Sequence, residues 1–599
     1  MLRAAVAVAL AGAALPTFAQ DLPKPGDRWT AVATRDLEVL GPAPPRRLEE
    51  VAHDLALGRA ALLEIAGVPD HDAPYPTTVV VFRDESDLRS YHREPDGSAP
   101  TSPILSVLDR QGRLLALSLE TLARDLPLAR ETLAGDVVDQ LLATPPAWLR
   151  TGLVALAGRL EPAGGQAPAE RLAERLPEGA AGLRAAASWP SPEELLGAGD
   201  GELRDAAAGF LRHLAHPRSE RSSQFRRYLT LLRGGLPSGA AFEECFFHSF
   251  AGLYREVTLA TERGGAPPIE LAPADPGVAA AAAVTREDVL LALGELVGRA
   301  TPWNTVAAEL HYREVLAARP DDAAALRGVA RLRELDGRHD DARLLWEQSL
   351  AADPHGVATR LLYGWSRLER FRRSVGTRRG WEDPLPAEVA AARELFRGAH
   401  TSTPPAHLLH GYGATFLYAV DGFAPGLEAL ERAARLLPGD DEIAADLALL
   451  RAHAGDSETA WDDWRARRGT VDPRLAAEIE KLMIEEALHS ADQLLLVRQE
   501  PAAAIALVQR ALAEAGDPAT RAELESLLAQ MHEVAVQLER DALLDRFLTA
   551  YEEARRLLAE RRFDEARRLL EPFAAEDLDP MVRDPARDLL RQLDTVTPP

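Results

Sequence analysis

The sequence predicts a mainly α-helical protein, with an α+β segment over residues 21–263 followed by an all-α helical array. Three observations carry this. The clearest β-branched run, Thr77-Thr78-Val79-Val80-Val81-Phe82, lies near the start. Apolar residues recur at helical spacing through most of the remainder. Beyond residue 299, small, aromatic and proline residues return in the same order at a fixed interval.

The first twenty residues, MLRAAVAVALAGAALPTFAQ, place Arg3 before an apolar run and small residues before Asp21. That pattern predicts a secretory signal cut after Ala19 or Gln20, and hence export to the periplasm or the cell exterior. No Cys stands near the cut, which argues against a lipid anchor. No later stretch approaches the roughly 20 apolar residues of a membrane span, so no membrane insertion is expected. A net charge of -25, from 68 basic and 93 acidic residues, argues against nucleic acid and anionic membranes as partners. The lone Cys245, in Glu244-Cys245-Phe246-Phe247, has no disulfide partner and reads as a buried core residue.

The α+β segment is read in order as a short strand at 36–40, an amphipathic helix at 48–66 and the strand at 77–82. A hairpin follows, with strands at 104–108 and 113–117 around the turn Asp109-Arg110-Gln111-Gly112. Two helices come next. The first carries Leu133, Val137, Val138, Leu141 and Leu142 and is stopped by Thr144-Pro145-Pro146. The second carries Leu149, Leu153, Leu156 and Leu160 from about Trp148. Residues 162–190, rich in Ala, Gly and Pro, read as a loop. Ser191-Pro192-Glu193-Glu194 opens another helix with a cap and an acidic first turn. Helices at 202–215, 223–233 and 240–258 complete the segment. The Pro/Gly clusters at 264–268 and 273–277 are read as its end, and 264–298 as a linker and leading helix.

The two helices at 131–161, with Trp148-Leu149-Arg150-Thr151-Gly152 after a Pro-rich turn, resemble the peptidase MA-like domain, a gluzincin-type fold. In that family an H-E-x-x-H helix precedes W-L-x-E-G-x-A; two His and the second Glu hold zinc, and the first Glu activates water. The resemblance places Gly135 at the first His, Asp136 at the catalytic Glu, Asp139 at the second His and Thr151 at the third ligand. Gly135 offers a metal no side chain and Thr151 only a neutral oxygen. Asp136 is one methylene shorter than Glu. Asp136 and Asp139 share a helix face, yet two carboxylates fall short of the six or more oxygens calcium takes. The resemblance therefore implies a degenerate site with no catalytic residue, no metal and no cofactor.

In the array, Ala308, Tyr312 and Pro320 recur as Ala342, Trp346 and Pro354, a shift of 34 residues. Gly337 precedes Ala342 where a tight turn is needed. The phase resumes at Ala392, Phe396 and Pro404, at Gly426, Leu430 and Pro438, and at Gly455, Ala460 and Trp464. This period resembles that of tetratricopeptide repeats and places them at 299–475, with weaker helical repeats and a polar cap at 476–599. Helices are expected at 502–515, 547–570 and, as part of the cap, 554–568. Between the second and third copies, residues 370–381 read as an insertion carrying five arginines, Arg370, Arg372, Arg373, Arg378 and Arg379.

Among the fifteen His residues, the closest approaches to a ligand pair are His213 with His216 and His407 with His410, each three apart and without a local third ligand. No Walker loop, nucleophile elbow or dinucleotide fingerprint is present. The leading expectation is an exported, non-enzymatic interaction protein whose repeat groove takes a protein or peptide. One alternative is a metal-dependent peptidase with an unconventional ligand set, Asp136 and Asp139 joined by His213 or His216. Another is a purely structural role, with the N-terminal segment a rigid terminus.

Overall fold

A computed structural model describes residues 28–91, 102–143, 145–163, 171–175, 189–197, 203–263, 267–300, 305–375, 384–399, 401–467 and 471–596. The sequence-predicted signal and Thr144, Arg378 and Arg379 lie outside those residues. The chain divides into two compact units, 1–450 with 462–470, and 451–461 with 471–599.

The first unit is built on a sheet of β1 (Trp29–Ala33), β2 (Leu37–Gly41), β3 (Thr77–Phe82), β4 (Leu105–Asp109), β5 (Gly112–Ser118) and β9 (Ala282–Val284), ordered β4-β5-β3-β2-β1-β9. β3 lies parallel to both β2 and β5, and β4 closes one edge as an antiparallel hairpin with β5. Parallel strands are covered on both faces, and the alternation in β3 shows how. Val79 and Val81 pack with Leu48, Val51 and Leu55 of α1 (Pro45–Ile65). Val80 and Phe82 point the other way, into a core with Val289, Leu290, Leu293 and Leu296 of α11 (Arg286–Ala300).

That second layer corrects the sequence reading of 264–298. The segment is no plain linker: β8 (Glu270–Leu271) completes a small sheet with β6 (Leu160–Pro162) and β7 (Leu172–Glu174), and β9 pairs with β1. Pro/Gly clusters exclude long elements, but two or three residues between them suffice for a sheet edge. The sequence also missed β1 and two short helices, α2 (Glu85–Tyr91) and α3 (Leu119–Arg124). The motif helices are α4 (Leu126–Leu141) and α5 (Ala147–Gly158). After α6 (Pro192–Gly197) come α7 (Arg204–Ala215), α8 (Ser222–Arg233), α9 (Ser238–Phe246) and α10 (Phe250–Glu262). They pack on α5 through one aromatic-rich core that includes the buried Cys245.

Helix hairpins then follow: α11 with α12 (Thr305–Ala318), α13 (Ala323–Leu335) with α14 (His339–Ala352), α15 (Val357–Val375) with α16 (Ala387–Arg397), and α17 (Ala406–Ala414) with α18 (Ala424–Leu436). Glycines set their spacing. Cβ atoms at Gly294 and Gly328 would both meet the Tyr312 ring, and at Gly364 and Gly411 the Phe396 ring. These two rings of the 34-residue pattern thus lie on bare backbone of two neighbouring helices, which ties the small positions to the aromatic ones there. Arg370, Arg372 and Arg373 belong to α15, not to an inserted loop; Arg370 pairs with Glu388 at 3.0 Å.

The boundary between units runs through α19 (Asp441–His453) and α20 (Ser457–Arg467). In the second unit, α21 (Pro473–Asp492) continues as a π-helical turn and is followed by α22 (Pro501–Glu514) and the 42-residue α23 (Pro518–Ala559). The expected continuous helix at 554–568 is broken: Arg561 takes φ 63°, ending α23 before α24 (Phe563–Leu570) starts. Leu589 and Leu593 of α25 (Pro580–Val596) close this end against Ala554, Leu557 and Leu570. Among the described residues, no helix is long and apolar enough to cross a membrane.

Candidate functional site

The frame of the motif helices is packing. Asp125 caps α4, its carboxylate accepting from the Leu128 amide at 3.1 Å. Trp148 is buried, edge-on to Phe210 at 5.3 Å and stacked on Tyr228 at 6.3 Å. Gly152 lets α5 and α7 approach closely, since a Cβ there would stand 2.9 Å from the Ala207 carbonyl and overlap Leu211.

The four residues of the site expected from the sequence, Gly135, Asp136, Asp139 and Thr151, lie as follows. Gly135 lies beneath Arg150, whose Nη2 is 3.4 Å from where a Cβ would be. Arg150 grips Asp139 with two hydrogen bonds of 2.9 Å. Asp136 is buried and accepts from Arg113 at the start of β5. Burial raises its carboxyl to about 7; Arg113 opposes the shift and the nearby Asp139 charge adds to it. Thr151 is buried on α5. Burial lowers the pKa of both candidate partners, His213 and His216; Glu256, Arg221 and His216 also act on the first, Arg218 and Glu174 on the second. Among the described residues, no three His, Cys, Asp or Glu side chains gather as a ligand set.

Above α4 the chain has built a cover that the sequence did not disclose. Gln140 donates to the Tyr75 hydroxyl at 2.9 Å, and Tyr75 is buried with Ala406, Ala433, Leu437 and Ile443 of the array. The Ala406 amide donates to the Pro74 carbonyl at 2.8 Å. Gly439 comes so near the end of α4 that a Cβ would lie 3.1 Å from the Asp139 carbonyl.

The β4–β5 turn reaches the first helices of successive repeats. Asp109 forms an ion pair with Arg299 of α11 at 3.0 Å and accepts from Arg331 of α13 at 2.9 Å, while Arg299 donates to the Gly112 carbonyl at 2.6 Å. Arg110 lays its guanidinium 3.9 Å above the Trp365 ring of α15 and pairs with Glu369 and, at 3.0 Å, with Glu442 of α19. Sequence reasoning found this turn but not its partners, which lie more than 180 residues away along the chain.

Behind Trp365 lies a buried polar cluster. The indole Nε1 donates to the His407 carbonyl at 3.0 Å, and the ring meets His410 edge-on at 4.8 Å. His410 and Arg372 share Asp446, at 3.0 and 2.8 Å. Burial lowers His407 to about 4, so it is neutral at pH 7. The pair His407 and His410 therefore belongs to the inner packing of the array. A separate open cleft of about 460 Å³ is lined by Arg360, Tyr363, Arg367, Glu394 and Leu395.

No protein-family model matches the sequence, and no curated protein matches it. Among solved structures, the chain is similar at 17% identity to Pseudomonas aeruginosa PilF, over 40% of this chain and 96% of that one, with a TM-score of 0.28. It is similar at 15% identity to human IFIT1, solved as a dimer with PPP-AAAA, over 64% and 89% of the two chains, with a TM-score of 0.21. Similarity at this level leaves the site to be read from the chain's own geometry.

Proposed function

We propose that this chain is an exported, non-catalytic interaction protein in which a tetratricopeptide-type array captures a protein or peptide. In this reading the α+β part is a peptidase MA-like domain that has lost its chemistry. One observation carries it: both carboxylates of the motif helix face guanidiniums, Asp136 with Arg113 and Asp139 with Arg150. A catalytic zinc site needs three converging ligands and an open position for water. Here the positions of the first and third ligands are a glycine and a buried threonine, and the array covers the helix end. The leader-like first twenty residues support export.

The test uses the full chain. Metal analysis is expected to find less than a tenth of an equivalent of zinc, and a mixed peptide library is expected to remain uncut. Stoichiometric zinc with cleavage abolished by Asp136→Ala would instead establish the metal-dependent peptidase. Recovery of the protein from periplasm or medium, with a new N-terminus near Asp21, tests export.

A further inference from the structure

We infer that the face formed by Trp365, Glu369 and Glu442 is a receptor for an arginine side chain of a basic partner peptide, filled in this chain by its own Arg110. This rests on the interaction-protein reading and gives the partner its chemistry.

The walls of the cage belong to the array. A guanidinium is recognised by an aromatic face beneath it and carboxylates at its edges, which is the arrangement around Arg110. Trp365 is held independently of its occupant by the His407 carbonyl and by rings of His410 and Phe396. Arg372, a second cation near that indole at 5.8 Å, is paired with Asp446. The occupant is held less firmly than the cage. Arg110 is 27% exposed, Glu369 41% and Glu442 59%, so water reaches all three, while Trp365 is buried beneath Arg110 and is uncovered only when that side chain leaves.

The turn that carries Arg110 does not depend on it. Asp109 is anchored by Arg299 and Arg331, and the Gly112 carbonyl by Arg299. The Arg110 side chain can therefore swing into solvent while the hairpin stays in place, leaving a preformed cage. The net charge of -25 draws basic segments toward the chain but selects nothing between lysine and arginine. The flat indole supplies that choice, because a planar guanidinium stacks where an ammonium does not.

The experiment is fluorescence polarisation with the full chain and two labelled peptides, each carrying one arginine or one lysine among glycines and serines. Arg110→Ala is expected to bind the arginine peptide at least tenfold more tightly than the natural chain, and the lysine peptide several-fold more weakly than the arginine one. Adding Glu442→Gln, at an exposed position, is expected to remove most of that gain. The proposal is overturned if Arg110→Ala binds no better than the natural chain, or if both peptides bind it equally. Such a failure leaves the scaffold reading standing, since that reading is tested by zinc content and cleavage.

Discussion

Arg113 and Asp136 join the base of the β4–β5 hairpin to the motif helix α4. Asp136 is buried and raised to about 7, and one of its oxygens, Oδ2, has no hydrogen-bond partner among the described residues. The pair is a structural tie, and its energetics depend on pH.

The sign follows from linkage. A carboxyl whose folded pKa lies above its unfolded value keeps its proton in the native state between about pH 4 and 7, where the unfolded chain has lost it. Stability contributed by Asp136 is therefore present at low pH and lost as pH rises through 7. Asp136→Asn removes the titration. Between pH 5 and 8 the stability of the natural chain should fall by about 2 kcal/mol relative to Asp136→Asn. Denaturant midpoints at the two pH values check this, and parallel profiles would refute it.

Asp109 ties two repeats to the sheet. Asp109→Ala leaves Arg299, itself buried, without its carboxylate, and should cost about 3 kcal/mol. Urea unfolding followed by tryptophan fluorescence measures it. A loss below about 1 kcal/mol would mean that the Gly112 carbonyl alone satisfies Arg299.

Gly328→Ala places a methyl group in the Tyr312 ring and should destabilise the chain by about 1–3 kcal/mol. Tyr312→Leu makes room at its own cost. In a double-mutant cycle, the glycine substitution should therefore be cheaper in the Tyr312→Leu background, with a coupling of at least about 0.5 kcal/mol. Strict additivity would show that the ring and the glycine do not meet.

Arg561 sits at φ 63° between α23 and α24, where a side chain is strained and glycine is not. Arg561→Gly is expected to be neutral or to raise the melting temperature of the second unit by a degree or two, whereas Arg561→Val should lower it. Calorimetry on the full chain distinguishes the two.

Local features of this protein were legible from residues alone. Thr77–Phe82 is a strand because β-branched residues alternate toward two covered faces. The helix boundary before Trp148 follows from Pro145-Pro146, and at Tyr312 and Phe396 the aromatic positions of the repeat go with glycines opposite their rings. The tertiary structure decided what surrounds them. Periodicity could not show that α11, nominally a leading helix, is a layer of the N-terminal sheet core, since its apolar face looks the same whichever surface it meets. Nor could it show that Asp136 meets Arg113, that Tyr75 lies under the array, or that Arg110 rests on Trp365. Short-range patterns set helix, strand and turn through local sterics and hydrogen bonding. Ion pairs and burial between residues tens to hundreds of positions apart exist only once folding brings them together, and the candidate site of this protein is made of those.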